Sequence, residues 1–183
     1  MSGRDAAGAQ QRPVAAHDSG AAGRLAVDRV GAFGIVLTLA WIVMLGAFFA
    51  MVEIQIEGSA GWAANLPTWR IEHHWLLDIF WGGRPMTGYH AWVFPFMALF
   101  FHYPLVMMQR WSLRLEARAL ASIMLFWIVE DYLWFVFNPA FGIAHFSPAF
   151  IPWHKHWLLF APTDYWVSLL VAAGLFFYSY KKP

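Results

Sequence analysis

The stretch VGAFGIVLTLAWIVMLGAFFAMV, residues 30–52, runs for 23 residues without a charged side chain. A helix of that length rises about 34 Å, enough to cross a bilayer hydrocarbon core that is about 30 Å thick. Hydrophobic residues make up 60% of the 183-residue chain and charged residues 13%, roughly half the charged share of a soluble domain. The sequence therefore predicts an all-α integral membrane protein.

Three further apolar stretches extend this pattern to a single four-helix transmembrane domain over residues 30–183. They lie at residues 91–108, 119–138 and 165–180. Residues 1–29 are rich in Ala, Gly, Gln and Arg and lack apolar periodicity, so they predict a disordered cytoplasmic tail. A cleaved signal is the alternative interpretation of the first stretch, because small residues follow at 58–60, but Glu53 and Glu57 disfavour cleavage there.

Basic residues indicate the orientation of these helices. With the N-terminus inside, the cytoplasmic segments contain nine of the twelve Lys and Arg residues, and the outer segments contain Arg70, Arg84 and Lys155. The positive-inside rule then predicts a multi-pass protein of a bacterial inner membrane or a plasma membrane, with both termini cytoplasmic. It also predicts two long extracytoplasmic loops, residues 53–90 and 139–164, both rich in Trp and His.

The outer side collects the side chains that can carry chemistry, with seven of the eleven acidic residues and six of the eight histidines. Its first loop also predicts a short amphipathic helix over residues 71–81, lying in the membrane interface with Trp75 and Trp81 as anchors. The tetrapeptide His-Trp-Leu-Leu occurs at 74–77 and again at 156–159. One interpretation of this recurrence is that the two halves of the domain are parallel repeats.

Glu130 and Asp131 are the strongest indication of a functional site. A carboxylate at membrane depth costs on the order of 3 kcal/mol on insertion scales, and no Lys or Arg lies within residues 119–138 to offset it. Glu53 and Glu57 would share one face of a continuing helix and repel each other unless a cation or a shared proton lies between them. We expect Glu130, Asp131 and Glu57 to be catalytic; the alternatives are a structural ion pair and a solvated helix end.

The outer histidines occur in patterns that a metal ion can use. His74 precedes Asp78 by one helical turn, His154 and His156 form a His-x-His pair, and His90 lies at the start of the second span. Imidazoles and carboxylates together suit Zn, Fe or Mn. The sequence thus predicts a metal site formed by His74, His90, His154 and His156; the alternative is that each is an interfacial hydrogen-bonding residue. Arg70 and Arg84 are expected to pair with Glu53, Glu57 or Asp78 across the loops, or to bind an anionic group.

The sequence FWIVEDYLWF, residues 126–135, is similar to the acidic pair and aromatic run of small membrane lycopene cyclases. Those proteins have a proline directly before the acidic pair, where this chain has Val129. The resemblance covers these residues only. It implies an isoprenoid substrate to which a protonated carboxyl group donates a proton.

These observations predict a polytopic membrane enzyme that acts on a lipid-soluble or amphipathic substrate at an extracytoplasmic carboxylate and histidine site, with or without a metal ion. The alternatives are a non-catalytic accessory subunit of a larger membrane complex and a metal-free isoprenoid cyclase or isomerase with Glu130 as proton donor. A net charge of +1 gives no basis for nucleic acid binding, and the absence of Cys excludes disulfides and thiol catalysis. Expected partners are membrane lipids and either a lipophilic small molecule or a partner membrane subunit.

Overall fold

A computed structural model describes residues 31–181, apart from the side chain of Phe80; the predicted tail, residues 1–29, lies outside them. The described chain is mostly helical, which confirms the predicted all-α class. Its elements in order are α1 (Ala32–Glu57), β1 (Arg70–Ile71), α2 (Trp75–Phe80), β2 (Met86–Thr87), α3 (Gly88–Met107), α4 (Leu113–Phe137), a 3₁₀ turn (Ile143–His145), β3 (Trp157–Leu158), β4 (Ala161–Pro162) and α5 (Thr163–Tyr180).

Three of the described helices, α1, α3 and α4, are long and apolar enough to cross a membrane. Helix α5 lies at the position of the fourth predicted span, whose membrane crossing stays a prediction. Helix α4 is central, because both α1 and α5 pack along it. Ile42, Met97 and Phe126, from α1, α3 and α4, form one buried apolar cluster within the bundle.

Contacts between helix ends show how the helices alternate in direction. Near the start of α4, Arg118 Nε donates a hydrogen bond to Ser179 Oγ near the end of α5, at 3.0 Å. His102, near the end of α3, bonds through Nε2 to Glu116 Oε1 of α4, also at 3.0 Å. The ends of α1 and α4 therefore meet the starts of α3 and α5 at one end of the bundle. We call this the loop end, because the segments 58–87 and 138–162 lie there.

Helices α1 and α4 depart furthest from the predicted span boundaries. Helix α1 continues five residues past the predicted span to Glu57, where the N–H of Gly58 bonds to Ile54 O at 2.9 Å. The charge of Glu53 ended the predicted span, but in the folded chain this carboxylate faces the protein interior. Helix α4 begins at Leu113, because the Ser112 hydroxyl caps it by accepting a hydrogen bond from the N–H of Leu115.

Each half of the fold contains a long helix, an antiparallel two-stranded pair and a second helix. Strand β1 pairs with β2, and β3 pairs with β4, in each case directly before the second helix of that half. The recurring His-Trp-Leu-Leu tetrapeptide does not occupy equivalent positions. Trp75 and its successors start α2, a shorter helix than the one predicted at 71–81, whereas Trp157 and Leu158 form β3.

The two loop segments are joined to each other over the loop end. Arg84 and Lys155 tie them by polar contacts, since Lys155 Nζ donates to Gly83 O at 2.9 Å. Gly61 (φ +65°) lies against the ring of Trp153, and a Cβ there would come within 2.8 Å of it. Asn138 Nδ2 donates to Gly58 O at 2.8 Å and so connects the ends of α1 and α4. Together the segments form a cover of aromatic side chains over the bundle.

Helices α1 and α4 are in close contact at Gly46. A Cβ on Gly46 would lie 2.8 Å from Val129 Cγ1 and 3.3 Å from the backbone nitrogen of Glu130. Small residues permit such approaches between helices in membranes, where packing is a main source of association. The glycine therefore sets the separation between the helix that carries Glu53 and Glu57 and the helix that carries Glu130.

Gly46→Ala should destabilise the protein, because Val129 is β-branched and cannot move aside freely. Overpacking of this kind costs roughly 1–3 kcal/mol, so we expect a lower unfolding temperature in detergent. The matched control is Gly174→Ala on α5, whose added Cβ meets nothing within 4 Å. Equal unfolding temperatures for the two variants would show that α1 and α4 do not pack as described.

Candidate functional site

A cavity of about 350 Å³ lies at the loop end, between the ends of α1 and α4 and the starts of α3 and α5. This volume is within the range of small-molecule sites in proteins. Its polar lining consists of Glu53, Glu57, Arg84, His90, Glu130, Asp131, His154, Asp164, Tyr165 and Ser168. Its apolar lining consists of Gly61, Trp62, Trp81, Phe94, Met124, Trp127, Ile128, Trp134, Phe135 and Trp153.

Three carboxyl groups crowd one side of this cavity, and each residue is at most 7% exposed: Glu53, Glu57 and Glu130. Glu53 and Glu57 lie one turn apart on α1, and Glu130 on α4 interacts electrostatically with both. Glu57 Oε1 accepts a hydrogen bond from the backbone N–H of Ala63. The side chains of Glu130 and Glu53 are hydrogen-bonded to each other, while Glu130 Oε1 is fully buried and accepts no hydrogen bond from an N–H or hydroxyl group of residues 31–181. We call this group the carboxyl cluster.

Within the described part of the chain, no Lys or Arg nitrogen lies within 4.0 Å of a carboxylate oxygen of the carboxyl cluster. Buried carboxylates are normally paired with a cation or coordinate a metal ion, because an isolated charge in a water-poor site is costly. The cluster is therefore short of positive charge. Protons or a bound cation are the two ways to supply it.

His90 completes this side of the cavity. One ligand atom from each of Glu53, Glu57 and His90 lies within 4.8 Å of the other two, and all three residues are buried. Nδ1 of His90 is hydrogen-bonded to the Thr87 hydroxyl at 2.7 Å, and its ring stacks on Trp62 with 4.0 Å between centroids. The imidazole is thus fixed in orientation from two sides.

The turn after α1 places Trp62 over His90. Trp62 and Ala63 both adopt positive φ angles, 45° and 51°, which non-glycine residues rarely do. Contacts within the loop hold this strained turn: Trp62 Nε1 donates to Pro85 O at 2.8 Å, and Arg70 donates to Ala63 O. Backbone strain that surrounding contacts maintain is common at functional sites. Here the strained turn positions the backbone N–H of Ala63, which donates a hydrogen bond to Glu57.

The opposite side of the cavity carries a paired network. His154 Nε2 lies 3.0 Å from Asp131 Oδ2, and its Nδ1 lies 3.4 Å from Asp164 Oδ2. Arg84 Nη2 donates to Asp164 Oδ2 at 2.6 Å, and the Tyr165 hydroxyl donates to Asp131 Oδ2. With His154 protonated, two cations balance two carboxylates. We call these residues the ion-pair network; unlike the carboxyl cluster, it needs no further charge.

Electrostatics favour that protonated state of His154. Burial by itself lowers the pKa of His154, but the neighbouring Asp131 carboxylate and the hydrogen bonds to Asp131 and Asp164 outweigh it. Arg84 opposes the protonated form less strongly. The net result is a pKa of His154 above its ordinary value of 6.5.

The structure brings together most of the residues predicted from sequence. Glu130, Asp131, Glu57, His90 and His154 all line the one cavity. His74 and His156 are exposed and do not line it. His74 caps α2, since its Nδ1 accepts a hydrogen bond from the N–H of Leu76 at 3.2 Å. The four predicted metal-binding histidines therefore occupy separate places, and only His90 lies beside the carboxyl cluster.

Several cavity residues had no distinctive sequence signal. Asp164 pairs with Arg84, whereas the sequence offered Glu53, Glu57 and Asp78 as partners for that guanidinium. Tyr165 follows Asp164 at the start of α5 and reaches Asp131 across the cavity. Such pairing across 34 to 80 residues depends on which helix ends meet, and local patterns carry no information about it.

No protein-family model, curated protein or solved structure matches this chain.

Unfolding temperature should fall as the pH rises above about 6.5, because His154 carries its proton more strongly in the folded state than in the unfolded one. That contribution is complete below the pKa of an unfolded histidine and is lost as the pH passes the raised folded pKa. At pH 6, His154→Gln should cost roughly 2 kcal/mol, a typical contribution of hydrogen bonds to charged groups.

Thermal unfolding of the purified protein in detergent between pH 6 and pH 9 checks this prediction. The difference in unfolding temperature between the parent chain and His154→Gln should shrink toward high pH. His156→Gln, two residues along and exposed, should leave the profile unchanged. A constant difference across this pH range would contradict protonation of His154 by the network.

Proposed function

We propose that the protein is a membrane enzyme that acts on a lipid-soluble or amphipathic substrate in the loop-end cavity. The observation that carries the proposal is the carboxyl cluster: three buried carboxyl groups that no Lys or Arg of residues 31–181 neutralises, facing a cavity whose other walls are largely aromatic. Perturbed carboxyl groups in a concave site are typical of acid–base catalysis. The aromatic walls fit an apolar molecule, and the polar groups are concentrated where a reaction would take place.

The proposed topology has four membrane spans, with α5 as the fourth, and both termini in the cytoplasm. Its support is the positive-inside rule, since nine of the twelve basic residues then lie on the cytoplasmic side. The loop end, with the cavity, would face the extracytoplasmic side of a bacterial inner membrane or a plasma membrane. A substrate dissolved in the bilayer would enter near the outer interface.

Each polar group has a role in this proposal. Glu130 and Glu57 act as acid and base in a metal-free version, or as ligands in a metal-dependent one, because they belong to the cluster that lacks a counter-charge. Asp131 is the third carboxylate named from sequence; it is held by His154 and Tyr165, so it keeps a fixed negative charge beside the substrate. His90 is either a proton carrier or a ligand.

One metal-free version is isomerisation or cyclisation of an isoprenoid-like alkene. The O–H bond of Glu130 breaks as a C–H bond forms, which leaves a carbocation that the rings of Trp127 and Trp134 face. A second carboxylate, Glu57, then removes a proton from a neighbouring carbon, and a double bond forms. Overall, one proton enters and one leaves, so no oxidant or other co-reactant is required.

The alternative function is a non-catalytic accessory subunit of a membrane complex. It is favoured by apolar side chains at the loop end that are exposed although they lie outside the three candidate spans: Ile143, Phe150, Leu158, Leu159 and Phe160. In that case the carboxyl cluster would serve assembly.

Glu130→Gln distinguishes the two functions, because it preserves shape and removes the acid. A total lipid extract is incubated in D₂O with the purified protein or the variant, and lipids are followed by mass spectrometry. We expect the parent protein to change the mass or deuterium content of one lipid class. The variant should do so about 10²–10⁴-fold more slowly, the usual contribution of a general acid.

Glu72→Gln is the matched control, since Glu72 is an exposed carboxylate outside the cavity. It should match the parent protein in rate. The enzyme proposal is wrong if Glu130→Gln retains the parent rate. A variant that instead loses co-purifying membrane proteins, with no lipid conversion by the parent protein, would establish the subunit function.

A further inference from the structure

We infer that Glu53, Glu57 and His90 form a binding site for one divalent first-row transition-metal ion, of the class of Mn²⁺, Fe²⁺ or Zn²⁺. The inference rests on the proposed function, because it supplies a cofactor to the same cavity. It differs from the histidine set predicted from sequence, of which only His90 belongs to it.

Geometry is the first argument. Ligands about 2.0–2.2 Å from a metal ion lie at most about 4.4 Å apart across it. The three donor atoms of Glu53, Glu57 and His90 lie within 4.8 Å of one another. Small side-chain rotations therefore suffice to enclose an ion. The one-turn spacing of the two glutamates on α1 presents both carboxylates to the same point.

An independent observation at the site also indicates a ligand. Glu130 is 3% exposed and lines the same cavity; its side chain is hydrogen-bonded to Glu53, another acidic group, and its Oε1 accepts no hydrogen bond from an N–H or hydroxyl group among the described residues. Buried polar atoms are rarely left unpaired in folded proteins. An ion at Glu53 and Glu57, with its bound water, would offer Glu130 both the missing positive charge and a hydrogen-bond donor.

His90 has the support that a ligating histidine requires. When Nδ1–H donates to the Thr87 hydroxyl, the lone pair of Nε2 is free to bind an ion. Such an outer partner fixes the tautomer and orientation of metal-bound histidines. Stacking on Trp62 at 4.0 Å holds the ring from its face.

Donor chemistry limits the kind of ion. Two carboxylates favour hard cations, while an imidazole favours transition metals over Ca²⁺ and Mg²⁺, and the chain contains no Cys to recruit a soft ion. The ion-pair network offers no comparable site. His154 there is engaged by Asp131 on one ring nitrogen and by Asp164 and Arg84 on the other, so neither nitrogen is free.

The test is a titration of the full chain in mild detergent, stripped with a chelator, with Mn²⁺ alone. Free Mn²⁺ is counted by electron paramagnetic resonance, and the unfolding temperature is measured in parallel. We expect one ion per chain and a rise in unfolding temperature on binding. Glu57→Gln and His90→Gln should weaken binding by about 100-fold or more. His154→Gln and the exposed His156→Gln should bind as the parent chain does.

The inference would be overturned if the folded parent chain showed no saturable Mn²⁺ binding and retained no Zn²⁺ through purification. It would also be overturned if Glu57→Gln and His90→Gln bound normally, or if His154→Gln lost binding equally. The unfolding temperature shows which variants are folded, and the parent chain alone decides the first outcome. Lipid conversion by chelator-treated protein, followed in D₂O, separates the two proposals. If conversion continues without metal, the cofactor proposal is wrong and the enzyme proposal stands.

Discussion

The constraint on which this structure depends is a set of buried carboxyl groups that no Lys or Arg of residues 31–181 neutralises. Glu53, Glu57 and Glu130 meet at a depth where water is scarce, and repulsion among three carboxylates would separate α1 from α4 unless something neutralises them. The fold nevertheless brings these helices as close as Gly46 allows. The two features are compatible only if protons or a cation belong to the folded protein at this place.

Two sets of polar residues line the cavity, and they differ in whether their charges are balanced. The ion-pair network is charge-balanced, joins Arg84 of the first loop segment to Asp164 at the start of α5, and so fastens the cover of the cavity. The carboxyl cluster is left unbalanced and faces the same space. Proteins commonly combine a stable region of fully paired residues with a binding or catalytic site that departs from this rule.

The sequence predicted the helical class and most of the polar residues that line the cavity, for identifiable reasons. Charge-free runs predict membrane helices because unpaired charge in hydrocarbon is costly. For the same reason, two acidic residues within such a run, Glu130 and Asp131, were predicted to belong to a functional site. The same rule placed the end of α1 too early. A charged residue such as Glu53 is typical of a helix end exposed to water, and its burial against α4 is visible only in the folded structure. The partner of Arg84, and the separation of His74 and His156 from His90, depend on contacts between distant segments, which local spacing does not encode.

Carbodiimide labelling tests directly whether the buried carboxyl groups are protonated, because this reagent modifies carboxyl groups that hold a proton in a water-poor environment. The purified protein is labelled at neutral pH in detergent, with and without Mn²⁺, and the modified residues are located by peptide mass spectrometry. The account predicts labelling within Glu53, Glu57 and Glu130, suppressed by the ion, and none at exposed Glu72. Unlabelled glutamates in the metal-stripped, folded protein would show that the cluster is neither protonated nor in need of a cation, and would contradict the account.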